Sequence, residues 1–258
     1  MKRLLLILLA CAAPAFGADV PLAQALRRAE LQCTLTGNGR DALTLTAANP
    51  GTEPLTITIP AGLVCAAAAD RVLVVRNARL TIPTGSGAEM RIPTVALSAK
   101  NACTTRAFTP TKDSALALAP LLRLAAERAD LPNDTTQLLA LALLEDIAFT
   151  PWQNFLAPQR TKEADDQPHP TPAEVTLAID ALGLLRQLAP ERQFALATDP
   201  ELKLRALRNP WCRAKAVQLY GLDSVALPPD IGQLLHARPG DNCPICRQRA
   251  RMQSPPDL

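Results

Sequence analysis

The sequence predicts an α+β chain of several domains, an N-terminal antiparallel β-sandwich followed by a C-terminal all-α domain of short helices. Three observations carry this expectation. Residues 40–106 alternate apolar and Thr positions at period two, with Pro, Gly, Asn and Ser turns between the runs. After Thr109-Pro110 the apolar spacing changes to that of amphipathic helices. The first 17 residues have the plan of an export leader, so the β region begins at the expected mature N-terminus.

In that leader Lys2 and Arg3 form the charged region, and Leu4 to Ala13 form a short apolar region. Ala15-Phe16-Gly17 places small residues at the −3 and −1 positions for cleavage before Ala18, so 1–17 reads as a signal peptide. The same stretch has a second reading, because Leu8-Leu9-Ala10-Cys11 resembles a bacterial lipobox in which Cys11 becomes the lipidated first residue. No other run reaches the roughly 18 apolar residues that span a bilayer. The expected location is therefore outside the cytoplasm, periplasmic or extracellular, with a lipid tether through Cys11 as the alternative. The whole chain carries 27 basic and 24 acidic residues. Without Lys2 and Arg3 the balance is 25 to 24, a net charge of +1, which gives no footprint for a nucleic-acid partner.

The β-sandwich is expected over 18–108. Leu22, Ala25 and Leu26 first suggest a short amphipathic helix. From Leu31 the period becomes two, with Leu31, Cys33 and Leu35 facing one way. Gly37-Asn38-Gly39-Arg40 is a hairpin signal. Leu43, Leu45 and Ala47 form the next inward row, Asn49-Pro50-Gly51 turns the chain, and Leu55, Ile57 and Ile59 follow. Arg71 to Arg76 is apolar on both faces, as a central strand would be. Leu80 and Ile82, the Thr84-Gly85-Ser86-Gly87 loop and Met90 to Leu97 complete roughly six or seven strands, with turns at sandwich spacing.

The runs Asn49 to Ile57, Ile59-Pro60-Ala61-Gly62 and Leu80-Thr81-Ile82-Pro83 resemble bacterial envelope domains of the immunoglobulin-like or fibronectin III-like type. The resemblance covers roughly residues 30–108 and implies a sandwich fold with a habit of binding other molecules. The Cys…Trp…Cys pattern of true immunoglobulin domains is missing, since Trp152 and Trp211 both follow the β region.

A helical pair is expected over 112–150: one helix capped by Asp113 or Ser114, and an apolar second helix from Thr135 to Phe149. Residues 151–170, rich in Pro and charge, read as a linker. The C-terminal helical domain is expected over 171–252, with a tail at 253–258. It opens on Thr171-Pro172-Ala173-Glu174, a capping box with Pro at the first helical position. Further helix starts are expected at Asp199-Pro200, Asn209-Pro210, and Pro229 or Asp230.

Cys33, Cys65, Cys103, Cys212, Cys243 and Cys246 read first as disulfide candidates in an exported chain. The leaning is a bridge among Cys33, Cys65 and Cys103, and either a local Cys243–Cys246 bridge or a link from one of these to Cys212. Cys243-Pro244-Ile245-Cys246 also has chemical potential. With Cys212 and His236 it would supply four zinc ligands, and beside Arg247, Arg249 and Arg251 it would favour a reactive thiolate. The second Cys-x-x-Cys of a full zinc site and the βαβ context of a redox scaffold are both missing.

His169 sits between prolines in the linker. The pairs Glu145-Asp146 and Asp165-Asp166 read as solvated faces, and Trp152, Phe155, Trp211 and Tyr220 read as packing anchors. No sequence motif for a Ser-His-Asp triad, a zinc protease or a dinucleotide site is found. The expected function is that of an exported, non-enzymatic interaction or scaffolding protein of the bacterial envelope, without a cofactor and with an unknown protein partner. The alternative is a thiol-redox or zinc protein centred on Cys243 and Cys246.

Overall fold

A computed structural model describes residues 18–39, 41–100, 105–156 and 170–222. The expected leader with Cys11, Cys103, most of the expected linker with His169, and everything after Leu222, including His236, Cys243 and Cys246, lie outside the described residues.

The expected β-sandwich is corrected to a nearly closed, six-stranded antiparallel barrel with a second, three-stranded sheet. The strands are β1 (Ala18–Pro21), β2 (Thr34–Gly37), β3 (Ala42–Asn49), β4 (Leu55–Ile59), β5 (Val64–Ala67), β6 (Asp70–Val74), β7 (Ala78–Ile82), β8 (Ser86–Ala96) and β9 (Thr109–Pro110). The larger sheet runs β2-β3-β8-β6-β5-β9 and the smaller β1-β4-β7.

Closure comes from the segment before and within β9. Gly37 N–H donates to the Arg106 carbonyl at 3.0 Å, and Phe108 N–H to that of Leu35 at 2.7 Å. Two residues further on, Pro110 stands opposite Cys65 of β5. One short segment thus covers both free edges, which a two-sheet sandwich would leave apart.

β4 to β7 form a single bent hairpin. Leu55 faces Ile82 and Ala67 faces Asp70 in one unbroken register, yet the outer half belongs to the small sheet and the inner half to the barrel. β8 is long enough to serve two neighbours, pairing with β3 along Ser86–Pro93 and with β6 along Thr94–Ala96. The smaller sheet is completed by β1, which lies parallel to β4 and buries Val20.

Alternation explains the two cores. Leu43, Leu45, Ile57, Val72, Val74 and Ile92 fill the β core. The opposite faces of β5, β6 and β8 present Val64, Leu73 and Val95 to the helices, where they join Leu138, Leu141 and Trp152. Apolar residues on both faces of the 71–76 segment are therefore buried on both sides.

The helices are α1 (Leu22–Ala25), α2 (Ala119–Glu127), α3 (Asn133–Glu145), α4 (Phe149–Leu156), α5 (Pro172–Leu188), α6 (Ala195–Thr198), α7 (Pro200–Arg208) and α8 (Arg213–Leu219). The helix expected over 135–149 runs from Asn133 only to Glu145, ending where Asp146 takes a left-handed conformation at φ 52°, and a separate helix begins at Phe149. The linker expected from residue 151 gives way to helix α4, whose Trp152 and Phe155 are buried. Acidic side chains tie these ends together. Asp146 accepts from Ala195 N–H at 2.9 Å, at the start of α6. Glu145 accepts from Ala99 N–H at 2.9 Å, so this carboxylate pair, exposed as read, also clasps the fold. The capping box of α5 forms as read, with Glu174 N–H donating to Thr171 Oγ1 and Thr171 N–H to Glu174 Oε2.

Candidate functional site

Three helix ends converge on one open groove of about 670 Å³. The first turn of α5 supplies Pro170, Pro172 and Val175, and α7 with the turn after it supplies Pro200, Leu204 and Pro210. The size falls within the usual range for binding clefts. Each proline stands beside a helix start, where a missing N–H is harmless, so its ring is available as wall.

The groove's width is set by buried polar contacts. Asn209 is 7% exposed; its Nδ2 donates to the Pro172 carbonyl at 2.9 Å and to Thr176 Oγ1 at 3.1 Å. Its Oδ1 accepts from Trp211 N–H at 3.0 Å, fixing the turn that follows α7. At the other end of α7, Asp199 caps the helix by accepting from Glu201 and Leu202 N–H, both at 3.0 Å. The second oxygen of Asp199 accepts from Phe149 N–H at 3.0 Å, anchoring α7 against α4.

The groove carries two guanidiniums, Arg205 and Arg208, against one carboxylate, Glu201. Arg205 binds that carboxylate one turn away at 2.9 Å, and Thr150 Oγ1 donates to its other oxygen at 3.1 Å. Among the described residues no Ser, Thr, Cys, His or Lys lines the cavity, and its walls offer apolar contact, two guanidiniums and one carboxylate. Leu204 is 43% exposed and Trp211, next to the lining Pro210, is 45% exposed. Trp211 was expected to be a packing anchor, and it is instead a surface indole. Tyr220 is half-buried, and Lys203 Nζ lies 5.5 Å from its ring centroid.

The sequence-predicted cysteine sites are only partly within the described residues. Cys33, Cys65 and Cys212 are free thiols. The strand segment ending at Pro110 runs between β2 and β5, so Cys33 and Cys65 are separated by an intervening strand. Two strand spacings come to about 9–10 Å, beyond the Cα separation a disulfide tolerates. Of the four expected zinc ligands only Cys212 is described. It is buried, its Sγ lies 3.8 Å from the Ala206 carbonyl, and burial pushes its thiol pKa up. Among the described residues no cluster of three or more His, Cys, Asp or Glu could hold a metal ion. No described helix is long and apolar enough to cross a membrane.

Leu204, Arg205, Arg208 and Trp211 form a surface that sequence reasoning did not single out. The available signal was the recurrence of polar-Pro helix starts at 171–172, 199–200 and 209–210. No family model, curated protein or solved structure matches the chain.

Proposed function

We propose that this chain is an exported, non-catalytic binding protein of the bacterial cell envelope that holds a protein partner in the groove between α5 and α7. The observation that carries the reading is a largely apolar groove, lined also by Arg205 and Arg208 and flanked by exposed Leu204 and Trp211. Solvent-exposed tryptophan beside an apolar cleft is the composition of binding hot spots. Export is supported by the leader-like pattern of residues 1–17. Cutting before Ala18 would keep Asp19 and its ion pair with Arg79 in the mature chain. A lipid on Cys11 would instead leave residues 11–17 as a short spacer to a membrane surface.

The test is site-specific photo-crosslinking in producing cells, with the photoreactive residue at position 204 or 211 and a control at exposed Glu89 on β8. A discrete protein adduct from 204 and 211 and none from 89 is expected. Absence of any adduct from the groove positions, or equal adducts from all three, would overturn the reading. The intact mass of the mature protein decides between cleavage before Ala18 and a lipidated Cys11.

A further inference from the structure

We propose that Cys33 and Cys65 form a redox pair gated by the barrel-closing segment 105–110, so that a disulfide between them and the docked segment exclude one another. The proposal goes beyond the groove and does not depend on it. Both thiols are free, and both flank the same short strand segment. On one side Pro110 stands opposite Cys65. On the other side Thr36 pairs with Ala107, and continuing that antiparallel register by three residues sets Cys33 opposite Pro110 as well. Residues directly opposite one another in a sheet share a face. Here it is the inner face, since Cys65 belongs to the β core and Cys33 packs against it. A single proline thus stands between two thiols in one row.

The separating segment is held lightly. Thr105, Arg106, Ala107 and Thr109 are exposed, Pro110 is half-buried, and Phe108 is the one buried anchor, at 2% exposure. Pro110 has no N–H to offer the Cys33 carbonyl. The flanks are fixed independently: Ala99 N–H donates to Glu145 at 2.9 Å before the segment, and Asp113 accepts from Arg71 at 2.8 Å after it. The segment can therefore lift as a local opening, as short, sparsely packed stretches do. β2 and β5 run parallel, because each is antiparallel to this segment, and lifting it leaves their edges facing each other unpaired. Direct pairing at the usual strand spacing of about 4.8 Å brings Cys33 and Cys65 within disulfide reach. The step is thiol–disulfide exchange with a low-molecular-weight or protein disulfide as oxidant. The two thiols give up two electrons and form one S–S bond. The oxidant's S–S bond breaks, and its sulfurs take the two protons and leave as thiols. Once β2 and β5 are bridged, the segment has no place between them and Phe108 stays in solvent. Reduction lets the barrel close again.

The experiment incubates the full mature chain in glutathione buffers of stepped redox potential, blocks the remaining thiols and maps linked peptides by mass spectrometry. Hydrogen–deuterium exchange is read in parallel on residues 105–111 and on β3 and β8. The oxidised chain should yield a Cys33–Cys65 peptide, with exchange of 105–111 at least tenfold faster and β3 and β8 unchanged. Cys33→Ser should abolish the link and the oxidant-dependent exchange together. Phe108→Leu, a mild loosening of the anchor, should speed oxidation severalfold. A Cys33–Cys65 link with 105–111 still protected would overturn the proposal, as would both thiols staying reduced at the most oxidising potential. Faster exchange throughout β3 and β8 would mean global unfolding, and a link from either cysteine to Cys103 would mean a different pair. Each of these also overturns it. None of these outcomes bears on crosslinking from positions 204 and 211, so the binding reading stands or falls separately.

Discussion

Gln137 on α3 pairs with Ala96 of β8 as a neighbouring strand would. Ala96 N–H donates to Gln137 Oε1 at 2.7 Å, and Gln137 Nε2 donates back to the Ala96 carbonyl at 3.1 Å. The ladder between β3 and β8 ends at Pro93, so the side-chain amide takes over where the strand partner stops. Both residues are buried, and the contact joins the barrel to the helical core.

Replacing Gln137 with Leu fills similar space and leaves a backbone donor and acceptor of Ala96 buried without partners. Each such group costs about 1–3 kcal/mol. A loss of about 2–4 kcal/mol is expected, read as a lower urea midpoint with an unchanged slope. A loss below about 0.5 kcal/mol would mean that water reaches Ala96 and the pairing is not structural.

A second clasp on the same interface is sensitive to pH. Asn133 Nδ2 donates to the Asp41 carbonyl and to its Oδ2, both at 3.0 Å, while Arg91 reaches Oδ1 at 2.7 Å. Burial pushes the Asp41 carboxyl up, but hydrogen bonds from Asn38 and Asn133 and the Arg91 charge outweigh it and hold the pKa below its ordinary value. The stabilisation is therefore present above the unfolded carboxylate pKa of about 3.9 and lost as pH falls through the lower folded value. Asp41→Asn should cost about 1–2 kcal/mol near neutrality, with the difference from wild type shrinking below about pH 4. A difference that stays constant from pH 7 to pH 3 would show that charge plays no part.

What was legible in the sequence follows from which contacts are local. Leu43, Leu45 and Ala47, and Leu55, Ile57 and Ile59, are buried as read, because a strand that buries one face writes period two into its own residues. The Thr171/Glu174 capping box spans four residues and is equally self-contained. Barrel closure is different in kind. It joins β2 to residues 106–108 through backbone groups, and only Phe108 in that segment has a buried apolar side chain. The groove was invisible for a related reason. Pro172, Pro200 and Pro210 each announce a turn or helix start, and nothing local states that they face a common space. Their convergence depends on Asn209 reaching across to Pro172 and Thr176.

Burial should order the reactivity of the three described thiols. Cys65 is fully buried and its pKa is pushed up to about 12; Cys212 is also buried and raised, and Cys33 is raised but only half-buried. Thiolate is the reactive species, so native alkylation should modify Cys33 first, and Cys65 and Cys212 only on unfolding. Peptide mapping after timed exposure to iodoacetamide checks the order. Rapid modification of Cys212 in the folded chain would show that its site opens.

The single tyrosine gives an independent probe of the α7–α8 region. Burial, and then the negative charge of Asp199, push the Tyr220 hydroxyl up to about 12. Phenolate absorbance should therefore be absent at pH 10 in the folded protein and appear near the ordinary value of about 10 in urea. The raised folded pKa contributes stability that is full below about pH 10 and is lost as pH rises towards 12. Phenolate formation at an ordinary pKa in the folded protein would place the hydroxyl in water.

Asn209 connects stability to the groove, because one side chain both ties α7 to α5 and holds the turn carrying Trp211. Asn209→Ala removes three hydrogen bonds and should cost about 2–3 kcal/mol, since the backbone and hydroxyl groups it serves are poorly placed to find other partners. The same change should loosen the rim. Trp152 is fully buried and Trp211 is 45% exposed, so iodide quenching of tryptophan fluorescence reports on Trp211 alone. Quenching in wild type should be partial, and Asn209→Ala should alter its slope at denaturant-free conditions where the chain remains folded. A stability loss with unaltered quenching would mean that Asn209 serves the helix packing and not the position of the indole. The groove's shape would then be set by the prolines and the Asp199 cap alone.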